Sequence, residues 1–436
     1  MKNWQCLAGR FQGYETDTCY DLRGIRYATS ERFCEPVLYH YPDGLHSCLE
    51  KAPYTVQLPS KTEEFLFGVD YDKVKQEESC QYLSITIPKK ETDNKKFPVM
   101  VWIHGGAFRN GGCDHECYDS DLLASEGNVI VIRLNYRLGV LGYVKDKAGS
   151  AANLGLLDVI TALQWIRENI EFFGGDKENV TLFGQSAGAQ TIAGILVADG
   201  TDKLFKNAIM QSTPLGAMTG RADMDKQILD ELNKMPDEAD ISEVRRTQGE
   251  ILSRVTKKGN PKFMPFAPHY GVKPLPAEER IDEILRERAC RHPILIGGNT
   301  REAAAYIGGN KMIAGLDRFP ITRPVVEAAM KNKAKQIFAE PSKSFAARYA
   351  SAGGSCWLYE FSWCMNRSVL GACHCMELIP LFGGKGLEDL DIMMSQTEQN
   401  VRVAGKPLRE IWTDFAKTGR VSRMEIPGML KILRQQ

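Results

Sequence analysis

The sequence predicts an α/β fold, with a central, mostly parallel twisted sheet flanked by helices. Three stretches carry that expectation. Phe97 to Ile103 (FPVMVWI) and Val129 to Leu134 (VIVIRL) are nearly continuous apolar runs of strand length, as in strands covered on both faces. Between them and the next strand, Leu156, Ile160, Leu163, Ile166 and Ile170 recur at steps of three and four, which marks one face of a helix. Val180 to Phe183 then forms a strand that runs into Gly184-Gln185-Ser186-Ala187-Gly188 and the apolar helix positions Ala189, Ile192, Ile195 and Leu196. Strand, helix and strand in close succession is the pattern of a parallel sheet with crossover helices.

The remaining elements take their places around this centre. Residues 9 to 36 mix glycines and aromatics with short β-like runs, so antiparallel hairpins are expected there, and Gln81 to Ile87 alternates like a strand. Gly174-Gly175 ends the helix before the elbow. Leu204 to Met210 and Pro293 to Gly297 supply further strands, and the charged stretch Asp223 to Lys258 is helix-prone. Pro407 to Gly419 reads as an amphipathic helix with Leu408, Ile411, Trp412 and Phe415 on one face. The closest approach to a linker, Pro261 to Pro276, holds too many aromatics for a tether. One domain over 1–436 is expected, with a β-hairpin region at about 5–90 and helical insertions at about 220–290 and 303–350.

Composition narrows the function classes. Hydrophobic residues make up 43% of the chain and charged residues 25%, the balance of an ordinary globular protein. Lys plus Arg equals Asp plus Glu at 55 each, so no basic surplus argues for nucleic acid or an anionic membrane. No run has the length of a membrane span and the N-terminus lacks the apolar core of a secretory signal, which points to a cytoplasmic protein. The 12 cysteines are scattered, and reduced thiols are the expectation. Cys113, His115 and Cys117, like Cys373, His374 and Cys375, lack the second paired half of a zinc site, so no metal is expected.

The chemistry centres on Ser186. A G-x-S-x-G turn between a strand and a helix exposes the serine hydroxyl in a strained conformation, and that hydroxyl needs a histidine base and an orienting acid. Of seven histidines, His374 is best placed, in a loop downstream of all candidate strands. The acid should lie between the two, just after a strand. Glu302, following PILIGGNTR, meets that condition, although position alone leaves other carboxylates of the interval open. The turn His104-Gly105-Gly106-Ala107-Phe108 can supply backbone N–H donors to an oxyanion, and Gly106, Ala107 and Ala187 are the expected three. Because the donor is main chain, alanine at 107 is expected to serve without cost.

These residues, taken in order, resemble the type-B carboxylesterase and cholinesterase family of α/β-hydrolases, and look most like its bacterial-type carboxylesterases. The resemblance rests on GIRYA (24–28) with Arg32-Phe33, VWIHGGAF (101–108), NYRLG (135–139), NLGLLD (153–158), FGGD (173–176), the elbow, LFKNAIMQS (204–212), Gly297 to Glu302, HCMEL (374–378) and WTDFAKTG (412–419). It implies an α/β-hydrolase fold with helical cap insertions and a triad of Ser186, Glu302 and His374. The family's E-D-C-L stretch reads Glu78-Ser79-Cys80-Gln81 here, with the cysteine that pairs with it in secreted members replaced near Val56. Gln185 stands where many members carry glutamate, and Thr300-Arg301-Glu302-Ala303 lacks the usual aspartate and glycine around the acid. The short Glu302 to His374 segment suggests a trimmed cap and a more open pocket. With no Trp between Trp4 and Trp102, a cation–π platform for quaternary ammonium groups is not expected. The expected function is hydrolysis of small to medium carboxylic esters through an acyl-enzyme, with a small-molecule ester as partner and no cofactor. The alternative is a catalytically silent interaction protein on the same fold. Oligomeric state is not legible.

Overall fold

The computed structural model describes residues 1–90, 96–144, 152–217, 221–257, 264–305, 323–365, 370–393 and 396–435. Three antiparallel strands open the chain, β1 (Lys2–Cys6), β2 (Gly9–Glu15) and β3 (Cys19–Arg26), with the short β4 (Leu45–Ser47) set against β2. Their alternation is plain in β1, where Trp4 and Cys6 face the core while Asn3 and Gln5 face solvent. Beyond them come β5 (Tyr82–Pro88), β6 (Phe97–Ile103), β7 (Ile130–Leu134), β8 (Gly175–Gln185), β9 (Asn207–Gln211), β10 (Ile294–Asn299), β11 (Cys356–Phe361), β12 (Glu425–Ile426) and β13 (Leu430–Gln435). The sheet order is β1-β2-β3-β5-β7-β6-β8-β9-β10-β11-β13-β12. From β7 to β11 every neighbouring pair is parallel, while both wings are antiparallel. The parallel centre is where the sequence is most uniformly apolar, and Val99 to Ile103 are fully buried.

One charge interrupts that centre. Arg133 of β7 is buried, and its guanidinium meets Asp21 at 3.1 Å and Asp114 at 3.6 Å. Asp114 in turn accepts the Ala52 N–H and the Ser84 hydroxyl, each at 2.8 Å, so the cluster ties the N-terminal wing to the sheet. A second buried pair does the same for the crossover helix. Asp158 accepts from the backbone N–H, Nε and Nη2 of Arg137 at 2.8 to 2.9 Å, and both residues are nearly inaccessible.

Helix α1 (Lys61–Phe67) lies inside the stretch expected to hold hairpins. Its signal was present as Ser60-Lys61-Thr62-Glu63, in which the Ser60 hydroxyl accepts the Glu63 N–H at 3.4 Å, and Gly68 ends it in a left-handed conformation. Helix α2 (Asp121–Gly127) precedes β7. The crossover helix α3 (Leu154–Asn169) buries most of its circumference, as a helix apolar on more than one face does when it lies inside the molecule. Asn153, at its start, donates to the carbonyls of His269 and Val272 at 2.9 Å each and accepts the His269 N–H, which stitches residues 269–272 to the start of the crossover helix. Helix α4 (Ala187–Ile195) follows the elbow and is buried throughout.

The first insertion carries α5 (Ala222–Leu232), α6 (Ile241–Lys257) and α7 (Ile281–Arg288). Of the second, residues 306–322 lie outside the described residues, and the rest forms α8 (Arg323–Ala334), a π-turn at Lys335–Ala339 and α9 (Glu340–Ser351). A short α10 (Leu378–Phe382) follows the His374 loop.

The C-terminal helix α11 spans Glu398–Thr418, so the expected start at Pro407 is nine residues late. Thr397 caps the true start, its hydroxyl accepting the Asn400 N–H at 3.2 Å. Pro407 is tolerated because the carbonyl it leaves without a donor belongs to Val403, which is 65% exposed and reaches water.

Asp158→Asn leaves the Arg137 charge buried beside a neutral amide. It is expected to lower unfolding free energy by about 3–5 kcal/mol, read as a shift of the urea midpoint; an unchanged midpoint would show that Arg137 finds another partner.

Candidate active site

Strand β8 delivers Ser186 to the C-terminal end of the parallel strands and α4 begins one residue later. Ser186 sits at φ 54° and ψ −118°, a conformation that L-residues seldom adopt, and its N–H donates to the Gln211 carbonyl at 2.8 Å. The chain can turn this sharply only because its neighbours are bare backbone. A Cβ on Gly184 would stand 2.8 Å from the Ile103 carbonyl oxygen, and one on Gly188 would overlap it. On the other side, a Cβ on Gly105 would stand 2.8 Å from the Gln185 carbonyl. The elbow and the glycine turn after β6 are therefore pressed together by main-chain contact.

In that turn Gly106 has φ 108°, Ala107 φ 55° and Phe108 φ 56°. Two successive non-glycine residues in the left-handed region correct the expectation that alanine at 107 costs nothing; each such residue costs about 1–2 kcal/mol. The fold holds them there through Phe108, which is fully buried against Tyr143 and whose carbonyl accepts the Gly139 N–H at 2.6 Å. The result leaves the N–H groups of Gly106 and Ala107 without a protein acceptor among the described residues. Ala187, first in its helix, has no preceding turn to donate to. His104 takes no part as a base. Burial pushes its imidazole down to about 4, its ring stacks on Tyr136, and Tyr136 donates to its carbonyl at 2.7 Å.

Glu302 opens a 3₁₀ turn three residues after β10. Its Oε1 accepts the Asn299 N–H at 2.6 Å and its Oε2 lies 2.6 Å from Nδ1 of His374, while its carbonyl accepts the His374 N–H at 3.2 Å. Both side chains are nearly buried. The altered loop sequence therefore still aims the carboxylate: the Arg301 side chain packs along Gly371, and its backbone N–H reaches the Ala372 carbonyl at 3.0 Å.

Ser186 and His374 line one cavity of about 90 Å³, together with Gly106, Ala107 and Gln185. Among the described residues no hydrogen bond joins Ser186 Oγ to the imidazole. The Gln185 amide nitrogen lies 3.1 Å from Nε2 and 3.4 Å from Nδ1. A donor in the ring plane at that distance from Nε2 would stand about 5 Å from Nδ1, so the amide sits over the ring face rather than in line with the Nε2 lone pair. The Phe338 ring also packs on the imidazole, with centroids 5.0 Å apart. This contact runs against the expected open pocket: Ser186 is 9% and His374 6% exposed.

Three residues of the site escaped sequence reasoning: Glu377, its donor Asn299, and Glu63. Glu377 is fully buried, accepts from Asn299 Nδ2, and lies 3.5 Å from the Ser212 hydroxyl. Burial, reinforced by the charge of Glu302, pushes its carboxyl up to about 7. Its signal was its place one turn beyond His374 in the HCMEL stretch. The third is Glu63, whose carboxyl faces Gly106 from helix α1 and accepts the Tyr71 hydroxyl at 2.6 Å; burial pushes it, too, up to about 7. All twelve cysteines are unpaired, and among the described residues no group of three His, Cys, Asp or Glu side chains is disposed to hold a metal.

A sheet of this topology, with a strained serine at the strand-to-helix turn and a buried histidine–carboxylate pair beside it, defines a serine hydrolase of the α/β-hydrolase class. The chain belongs to the carboxylesterase family, whose model matches residues 4–316, and it hydrolyses carboxylic esters. It is 35% identical to the probable N-octanoylanthranilate hydrolase AqdA2 of Rhodococcus erythropolis over 95% of this chain and 92% of that one. It is 32% identical to the para-nitrobenzyl esterase of Bacillus subtilis, over 95% and 89%. The solved structure of a thermophilic PNB esterase superposes with a TM-score of 0.79 at 27% identity, covering 99% of this chain and 97% of that one.

Two outcomes follow from the geometry. Ala107→Gly is expected to raise unfolding free energy by about 1 kcal/mol, read by urea denaturation, and no gain would mean the turn is relaxed. Glu377 takes up its proton near 4.5 when unfolded and near 7 when folded. Between those values the folded state holds more protons, so this group stabilises the fold fully at low pH and loses that contribution as pH rises toward about 7. Glu377→Gln should therefore flatten the decline in urea stability over that interval relative to wild type; parallel curves would contradict it.

Proposed function

We propose that Ser186, His374 and Glu302 form the catalytic triad of this esterase and that Gly106, Ala107 and Ala187 donate to the oxyanion. The observation that carries the reading is the 2.6 Å contact between His374 Nδ1 and Glu302 within the cavity that holds Ser186. His374 Nε2 takes the proton of Ser186 Oγ as that oxygen attacks the ester carbonyl. The carbonyl oxygen becomes an oxyanion facing the three free N–H groups, and Glu302 steadies the imidazolium. Collapse expels the alcohol, which leaves with the proton from His374. Water, deprotonated by the same nitrogen, then attacks the acyl-serine and releases the acid. Side chains and water suffice for every step.

The small cavity favours small to medium esters. The names of the two relatives, an N-octanoylanthranilate hydrolase and a para-nitrobenzyl esterase, support acyl chains of medium length and aromatic leaving groups. The chain acts as one catalytic domain, since strands from Lys2 to Gln435 share one sheet. The unpaired cysteines support a reducing, cytoplasmic setting.

Ser186→Ala should abolish labelling by a fluorophosphonate probe and lower kcat on para-nitrophenyl butanoate by about 10⁶-fold. Glu302→Gln, which leaves the imidazole without its anionic partner, should lower kcat by up to about 10⁴-fold with little change in KM. Wild-type turnover in either variant would remove that residue from the mechanism.

A further inference from the structure

Among the described residues, the cavity beside Ser186 contains one cationic side chain with no hydrogen-bond or ion-pair partner. It is that of Arg109, which is half-buried. Its backbone is locked to the oxyanion turn, since the Arg109 N–H donates to the Gly106 carbonyl at 3.0 Å, so the side chain starts three residues from the N–H groups that would hold the reacting carbonyl. Glu63 faces the same cavity and is near enough for Arg109 to act on its charge, yet the two form no ion pair. The Glu63 carboxyl is held elsewhere: Tyr71 donates to its Oε2 at 2.6 Å, and Asn110 donates to the Tyr71 hydroxyl at 3.3 Å. The charge of Glu302 is already answered by His374, and Gln185 contributes none.

We propose that Arg109 is a specificity residue that binds an anionic group, a carboxylate above all, on the ester substrate. The planar guanidinium offers paired N–H donors matched to the two oxygens of a carboxylate, and in a half-buried site such a charge-assisted pair is stronger than in open water. Glu63 supports the same preference. Its carboxyl is pushed up by burial to about 7, so that near and below that pH a protonated fraction offers a donor where a fully ionised acid would repel the ligand. The zero formal net charge of the chain provides no long-range attraction for anions, so the selection is local to this pocket.

The inference rests on the serine-esterase reading of the same cavity, and the test separates the two. Two pairs of esters place the carboxylate on different sides of the scissile bond: the mono-para-nitrophenyl ester of octanedioic acid against its terminal carboxamide, and para-carboxyphenyl butanoate against para-carbamoylphenyl butanoate. Within each pair the readout is kcat/KM for the carboxylate divided by kcat/KM for the amide. This ratio does not depend on the fraction of a preparation that is folded. In at least one pair, wild type should favour the carboxylate, Arg109→Gln should lower the ratio about tenfold or more, Arg109→Lys should retain part of it, and Arg109→Glu should invert it. The affected pair tells whether the acyl or the alcohol part faces Arg109. Ratios equal in wild type and Arg109→Gln for both pairs would overturn the proposal while leaving the esterase reading intact. Retained turnover of all four esters by Ser186→Ala would instead defeat the triad.

Discussion

Much of the molecule is arranged around a single close crossing of main chain. Strand β8 must become helix α4 within one residue while passing the end of strand β6, and the Ile103 carbonyl leaves no room for a side chain on Gly184 or Gly188. That contact forces Ser186 into its unusual φ and ψ, and it sets the distance between the serine and the turn that carries Gly106 and Ala107. Strain at three positions, Ala107, Phe108 and Ser186, is stable only because the surrounding structure over-determines it. The parallel strands on either side are fully buried, Tyr136 braces His104 from behind, and Phe108 is sealed under Tyr143.

Below the serine lies a polar layer in which each acid has a different partner. Glu302 receives the Asn299 amide N–H and the His374 imidazole, and Glu377 receives the Asn299 side chain and the Ser212 hydroxyl. Asn299 thus divides its donors between two carboxyl groups. Like charges so close in a buried setting cannot both ionise freely, and burial together with the charge of Glu302 raises the Glu377 carboxyl. Glu302 is the carboxyl that meets the imidazole, 2.6 Å from His374 Nδ1.

What could be read from the sequence was whatever repeats or punctuates. The runs Phe97 to Ile103 and Val129 to Leu134 marked two central strands to within a residue, Val180 to Phe183 caught only the middle of Gly175–Gln185, the steps of three and four marked the crossover helix, and the glycines marked both turns. The order of serine, acid and histidine singled out three side chains that the fold brings to one place. Sequence pattern failed where a residue acts through its surroundings. Glu377 looks like any glutamate near a helix start until burial raises it, and Ala107 looks innocuous until its φ is known. Pro407 misled because its cost depends on which carbonyl loses a donor, and Val403 happens to face water. Helix α1 was overlooked although its capping pattern is legible, and with it went the carboxyl of Glu63.

The π-turn at Lys335–Ala339 places one more residue in a turn than an α-helix would. Helix α9 beyond it is anchored by Tyr349, which is buried and donates to the His292 carbonyl at 2.6 Å, and Phe338 within it touches the imidazole. A regular helix advances about 100° per residue, so one residue fewer would bring the two helical segments into a different phase. Either α8 would have to roll, or Phe338 would leave His374. The wide turn thus works as a phase coupling, and the number of residues in this helix is as much a property of the active site as the identity of the side chains around the serine.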